Sequence, residues 1–233
     1  DKTRLTNYLL DWEQELDPDR KLKDNPELGE LLTTWQNNQP FRMIIWHNPT
    51  NYVVRAGENL TMIGKKVGIP YWKILEANPQ ISFDKLPAGV DLLIPSKNEM
   101  LPMPVISNKR IEINIGSQRL YTYENGVLRD TYITSTGIDS SPTHPGVFQV
   151  QTHELEAYAS VWDLYMPHFL GIYEGWPGFM NGIHGLPTLS SGKTLWADVL
   201  GRPASYGCII LNLQDAEDLY NWADNGVVVE ITY

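Results

Sequence analysis

Apolar residues at helical spacing open the chain. Leu5, Tyr8, Leu9, Trp12 and Leu16 recur at steps of three and four and form one stripe. Asp17-Pro18-Asp19 interrupts it, and Asn25-Pro26 offers an N-cap followed by proline at the first helical position. Leu28, Leu31, Leu32 and Trp35 make a second stripe. The pattern predicts two short helices over 1–50, paired as a packing element, with a short strand over Phe41 to Trp46. Next, Tyr52-Val53-Val54 reads as a strand, and Leu60, Ile63 and Val67 mark a helix that Gly68-Ile69-Pro70 ends. Trp72, Ile74, Leu75 and Ala77 mark another helix, closed by Asn78-Pro79, and Leu92 to Pro95 is a second strand. Ser96 to Ser107, with Pro102 and Pro104 and no periodicity, reads as a semi-rigid linker.

Beyond residue 107 the period changes from helical to two. Lys109 to Ile115 and Gln118 to Glu124 alternate, and Asn125-Gly126 turns the chain into Val127 to Tyr132 as a hairpin. Thr131 to Gly137 continues as strand and loop. Val147 to Val150, Trp162 to Phe169 and Gly182 to His184 add short apolar segments. One helix stands out: Asn212 can cap it with Asp215 three residues on, and Leu213, Ala216, Leu219, Tyr220 and Ala223 give its apolar face. Val227 to Ile231 is a further strand. The fold class is mostly β with α: a βααβ module, then a β-rich domain, behind a short helical N-terminal region. The domains are expected at 1–50, 51–96 and 107–233, with 97–106 as the linker.

Composition narrows the function classes. The chain has 233 residues, 42% hydrophobic and 20% charged, with a formal net charge of −10. That balance argues against nucleic acid, which needs a basic face. No apolar run reaches the roughly 18 residues of a membrane span. The single cysteine, Cys208, forms no internal disulfide. The chain starts at Asp1 rather than Met, so a removed leader or anchor, or a start within a longer chain, is expected.

Several chemistries compete. His144, His153, His168 and His184 fit no zinc spacing, and His153-Glu154-Leu155-Glu156 lacks the second His of a zincin motif, so no metal or cofactor is expected. There is no Gly-x-Ser-x-Gly. A carboxylate pair stays open, since nothing in the sequence singles one out. A Cys-His pair would use Cys208 and His184, although a lone cysteine is more often a buried hydrophobe and a lone strand histidine more often structural.

Motifs in both halves resemble known families. Tyr52-Val53-Val54, Gly57-Glu58-Asn59-Leu60, Glu76-Ala77-Asn78-Pro79 and Leu86-Pro87-Ala88-Gly89-Val90 followed by Ile94-Pro95 resemble a LysM domain. The resemblance implies binding of N-acetylglucosamine-containing glycan strands through Gly57, Glu58, Asn59, Leu60, Ala77, Asn78, Pro79, Gln80 and Ile81. Glu58-Asn59 stands where the family usually has Asp-Thr.

Residues 107 to 233 resemble an L,D-transpeptidase (YkuD-type) catalytic domain. Four segments carry this: Ser141-Pro142-Thr143-His144-Pro145-Gly146-Val147-Phe148, Tyr165-Met166-Pro167-His168-Phe169, Gly182-Ile183-His184-Gly185 and Ser205-Tyr206-Gly207-Cys208-Ile209. The resemblance implies a Cys208 nucleophile, a His184 base and a Gly185 carbonyl that fixes the imidazole tautomer. Tyr206, Gly207 and Ser205 would position the oxyanion, and Tyr165, Met166 and Trp196 would line the substrate cleft. The partners would be peptidoglycan stem peptides and glycan strands, the location extracytoplasmic, in the cell wall or its periplasmic equivalent. The reaction would transfer a stem-peptide acyl group through a thioester to an amine. Water as acceptor would make an L,D-carboxypeptidase, and loss of chemistry would leave a wall-binding scaffold. Tyr206 replaces the usual His of the family and Ile210 its frequent Arg; the spacer Gly185 to Ala204 is longer than usual and holds Trp196, as a flap or a plain surface loop.

Overall fold

The computed structural model describes residues 2–16, 20–22, 28–37, 45–176, 178–194 and 198–233. Asp17-Pro18-Asp19, Asn25-Pro26, Phe41 and Trp196 lie outside the described residues. Internal contacts divide the chain into two units, Asp1–Leu60 with Trp72–Glu99, and Thr61–Tyr71 with Met100–Tyr233.

In the first unit, helices α1 (Lys2–Gln14) and α2 (Leu28–Gln36) flank strand β1 (Arg20–Leu22) in sequence. The two helices pack together, with Leu9 and Leu31 buried. β1 pairs antiparallel with β2 (Ile45–His47), a pairing between distant segments that local periodicity does not reveal. Next along the chain, β3 (Thr50–Val53), α3 (Leu60–Val67), which falls in the second unit from Thr61 on, α4 (Tyr71–Ala77) and β4 (Asp91–Ile94) follow in the expected strand, helix, helix, strand order. β3 and β4 form an antiparallel pair. Alternation on β4 buries Leu92 and Ile94 and turns Asp91 and Leu93 outward.

The second unit is built on two five-stranded sheets. The first comprises β5 (Lys109–Asn114), β6 (Arg119–Glu124), β7 (Val127–Ile133), β8 (Gly146–Gln149) and, from the far end of the sequence, β14. Its order is β7-β6-β5-β14-β8, so β14 (Val228–Thr232) lies between β5, to which it is parallel, and β8. The β6–β7 turn places Asn125 and Gly126 at φ 53 and 78, the pair of left-handed residues that a two-residue hairpin requires. The second sheet holds β9 (Thr152–Ala159), β10 (Leu164–Trp176), β11 (Phe179–Gly185), β12 (Thr188–Leu189) and β13 (Ile209–Leu211).

Helix α5 (Leu213–Trp222) packs on β10, β11 and β13. Asn212 caps it: its Oδ1 accepts the Asp215 N–H at 2.8 Å and its Nδ2 donates to the Asp215 carboxylate at 2.6 Å. On the outer side Arg129 of β7 grips the Asp218 carboxylate with both guanidinium nitrogens, each at 3.0 Å, and the Tyr132 hydroxyl donates to the same carboxylate.

One sequence expectation changes. Within Trp162 to Phe169, Leu164 to Phe169 is the start of the thirteen-residue β10, and Trp162 lies in the turn before it. Register shifts on either side of Tyr173 and Glu174 break its alternation, which hides its length in the sequence. The proline-bearing stretch after Met100, in the expected semi-rigid linker, makes hydrogen bonds to distant residues of the second unit. The Met103 N–H donates to Gln149 Oε1 at 2.9 Å, Gln149 Nε2 returns a bond to the Met103 carbonyl, and the Ile106 N–H donates to the Gly226 carbonyl. Its partners are remote in sequence, so composition alone reads it as a linker.

Candidate active site

The site grows from the parallel pairing of β11 with β13, where Ile183 faces Ile209 and His184 faces Ile210. Cys208 immediately precedes β13. Side chains two apart share a strand face, which places Cys208, Ile210 and His184 on one side. All three line one cavity, together with Ala159, Trp162, Leu164, Met166, Phe179, Ser205 and Tyr206.

The turn before Cys208 is held from several directions. The Ala204 and Ser205 N–H groups donate to the Thr136 carbonyl, and Ile138 N–H donates to the Ser205 carbonyl. Ser205 Oγ donates to the Cys208 carbonyl at 2.5 Å and accepts the Gly207 N–H at 3.2 Å. Thr143 Oγ1 donates to the Gly207 carbonyl at 2.8 Å, and Ser141 Oγ to the Tyr206 carbonyl at 2.9 Å. Gly207 sits at φ 116, a conformation costly for any residue with a Cβ, which explains glycine ahead of the cysteine. The Ser141–Thr143 motif thus acts on the cysteine turn itself, a link that the sequence order does not disclose.

Both side chains are nearly dry, with Cys208 8% and His184 2% exposed. His184 Nδ1 lies 2.7 Å from the Gly185 carbonyl. A carbonyl only accepts, so Nδ1 carries the proton and Nε2 keeps its lone pair. Burial lowers the imidazole pKa to about 4, against a small opposing effect of the Gly185 bond. Burial pushes the thiol up to about 11, and the Gly182 N–H directed at the sulfur works the other way. At neutral pH the two groups rest as thiol and neutral imidazole.

The cavity wall is aromatic. Tyr206, 44% exposed, stacks on Trp162 with ring centroids 5.6 Å apart at 21°. Trp162 meets Phe179 edge-on at 5.2 Å. Met166 and Leu164 project from β10 onto the same side, within a core cluster shared with Ala157, Ala159 and Phe169. Tyr165 does not join them: period-two alternation turns it to the other face, where it packs on its cross-strand partner Tyr158 at 4.6 Å. Of the three expected cleft residues, Met166 lines the cavity, Tyr165 does not, and Trp196 lies outside the described residues. Trp162, Phe179 and Asn181 are the residues that sequence reasoning missed. Alternation along β10 puts Leu164 and Met166 on one face, but nothing local marks Asn181. Among the described residues no group of three or more His, Cys, Asp or Glu could hold a metal ion.

In the glycan-binding candidate, two side chains are committed internally. The Glu58 carboxylate accepts from the Tyr52 hydroxyl at 2.8 and 3.0 Å and from the Arg55 N–H at 2.9 Å. Asn78 is buried; its Nδ2 donates to the Ile74 and Leu93 carbonyls at 2.7 and 2.8 Å, and its Oδ1 accepts the Leu93 N–H at 2.9 Å. Asn78 therefore clamps the end of α4 to β4. Gly57, Asn59, Pro79 and Gln80 are exposed, Ala77 and Ile81 half-buried and Leu60 buried. Asn78→Leu is expected to lower unfolding stability by about 3 kcal/mol, because three backbone groups of Ile74 and Leu93 lose the partner that the buried amide supplies. Chemical denaturation measures it, and an unchanged midpoint would contradict the clamp.

A cysteine turn and a buried histidine on one cavity supply the groups that a thiol-dependent acyl transfer would use. A model of the L,D-transpeptidase catalytic domain matches residues 108–231, and one of the LysM domain matches residues 52–95. The chain belongs to the L,D-transpeptidase (YkuD) family. An L,D-transpeptidase-family protein, YkuD, of Bacillus licheniformis is 26% identical over 185 residues, covering 78% of this chain and 98% of that one. Among solved structures, an L,D-transpeptidase from Stackebrandtia nassauensis is 19% identical with a TM-score of 0.45, covering 70% of this chain and 66% of that chain, just under two thirds of its length. One from Mycobacterium tuberculosis is 19% identical with a TM-score of 0.47, covering 65% and 76%. No described helix is long and apolar enough to cross a membrane.

Proposed function

We propose that the chain is a peptidoglycan L,D-transpeptidase, with residues 107–233 as the catalytic module and 51–96 as a glycan-binding module in the cell wall. The observation that carries the reading is the placement of Cys208 and His184 on one cavity, with the Nε2 lone pair left available by the Nδ1–Gly185 bond.

Cys208 Sγ attacks the carbonyl between the third stem residue and D-Ala while His184 Nε2 takes the thiol proton. The S–C bond forms, the C–N bond breaks, and the imidazolium returns the proton to the departing D-Ala amine. A side-chain amine of a second stem then attacks the thioester, gives its proton to His184, and releases the thiol with a new amide. Gly207 N–H is occupied by Ser205 Oγ, which moves the oxyanion role toward the Cys208 amide. Burial disfavours a preformed thiolate–imidazolium pair, so proton transfer accompanies attack rather than preceding it. Glycan contacts of the LysM module fall to the backbone of 57–60 and 77–81, because Glu58 and Asn78 are spent internally.

The test supplies a tetrapeptide stem with and without an amine acceptor and follows products by mass. A cross-linked product that rises with acceptor concentration supports the transferase. Tripeptide alone at every acceptor concentration assigns the site to the hydrolase, and no acyl-enzyme at all assigns the chain to a scaffold. Resting protonation has its own readout. Alkylation of Cys208 by a neutral electrophile is expected to climb with pH toward about 11, because the folded thiol loses its proton only there. A rate already flat from pH 6 upward would instead reveal a standing ion pair.

A further inference from the structure

Beneath the cysteine turn lies a buried amide to which the steps above give no task. Asn181 is on β11, three residues before His184, and is 4% exposed. It pairs with Tyr173 of the neighbouring strand β10, itself buried. Its carboxamide fits under the turn so closely that a Cβ on Gly207 would lie 3.1 Å from Oδ1. The Cys208 Sγ–H donates to this Oδ1 at 3.5 Å. A carboxamide withdrawn from water is costly unless its polar atoms are bonded, so an apolar residue of similar size would serve mere packing better.

We propose that Asn181 is a positioning residue for the nucleophile: its Oδ1 holds the Cys208 thiol in one rotamer on the turn until a substrate carbonyl arrives. The inference rests on the reading of Cys208 as nucleophile. A single preferred rotamer removes an orientational cost from the attack. Oδ1 is an acceptor, so it holds the thiol and not the thiolate; the contact loosens as the proton passes to His184. The titratable side chains around the sulfur are His184, Tyr173 and Tyr206, and none of them is a carboxylate. A carboxylate in place of the amide would oppose the developing thiolate.

Because the chain has one cysteine, the infrared S–H stretch reports this thiol alone. In the wild-type protein the band is expected below that of an unbonded alkyl thiol, and in Asn181→Leu, which keeps bulk without an acceptor, it moves back up. Acylation kcat in Asn181→Leu falls about tenfold while KM stays within about twofold, the loss of one oriented hydrogen bond. Asn181→Asp raises the pH midpoint of Cys208 alkylation by about one unit. A wild-type band at the unbonded position overturns the assignment whether or not the variants fold. So does an Asn181→Leu rate equal to wild type, or one reduced only in proportion to the folded fraction. A wild-type protein that forms no acyl-enzyme despite a shifted band overturns the nucleophile reading, and this assignment with it. An acyl-enzyme with an unshifted band overturns this assignment alone.

Discussion

Cys208→Ala is expected to abolish the acyl-enzyme and to cut transfer by at least about a thousandfold, since no other thiol exists to carry the acyl group. His184→Ala removes the group that takes the thiol proton, a loss of about a hundred- to ten-thousandfold. The two losses do not add. With the base gone the buried thiol stays protonated, and with the thiol gone the base has no proton to take, so the double variant matches Cys208→Ala alone. Intact mass after incubation with donor stem peptide gives the acyl-enzyme, and product analysis gives the rate. Transfer surviving in Cys208→Ala would place the chemistry elsewhere. An additive double variant would mean that His184 does not act through Cys208.

The second large effect concerns acid stability. His184 is buried as a neutral ring with its pKa lowered to about 4, whereas in the unfolded chain it titrates near 6.5. Between those values the unfolded state binds the extra proton and the folded state does not, so stability falls as pH drops through that window. The deficit levels off below pH 4 at about 3 kcal/mol. His184→Gln, which cannot be protonated, lacks this component. Denaturation midpoints of the two proteins from pH 7 to pH 4 are therefore expected to converge and then cross if Gln packs acceptably. Parallel curves would show that His184 is not the titrating group.

The sequence made some of this legible because local rules govern it. Asn125-Gly126 occurs where two left-handed residues are needed, and Asn212 with Asp215 announces the start of α5 through bonds spanning three residues. Ser205-Tyr206-Gly207-Cys208 stands out through its family motif, and its glycine proves to sit at φ 116. What stayed hidden depends on pairing between remote segments. Tyr165 is a cleft residue by the resemblance of its segment, yet strand alternation puts it on the face opposite Met166. The Trp162–Tyr206 stack joins residues from opposite ends of the second sheet's sequence, and Gln149 ties down Met103 from β8. Asn181 is one asparagine among many until β11, Gly207 and the sulfur are brought together.

The place of β14 between β5 and β8 has a kinetic consequence. β5, β6 and β7 can zip sequentially through short turns, but β8 has no neighbour in that sheet until residues 228–232 arrive. Closing that gap joins Arg110 to Val228 in parallel, a long loop whose entropy must be met before the contacts repay it. Folding of the catalytic half is therefore expected to be slow and to complete in one late step. During synthesis the exposed edges of β5 and β8 stand ready for each other or for a wrong strand until β14 emerges to occupy the gap between them.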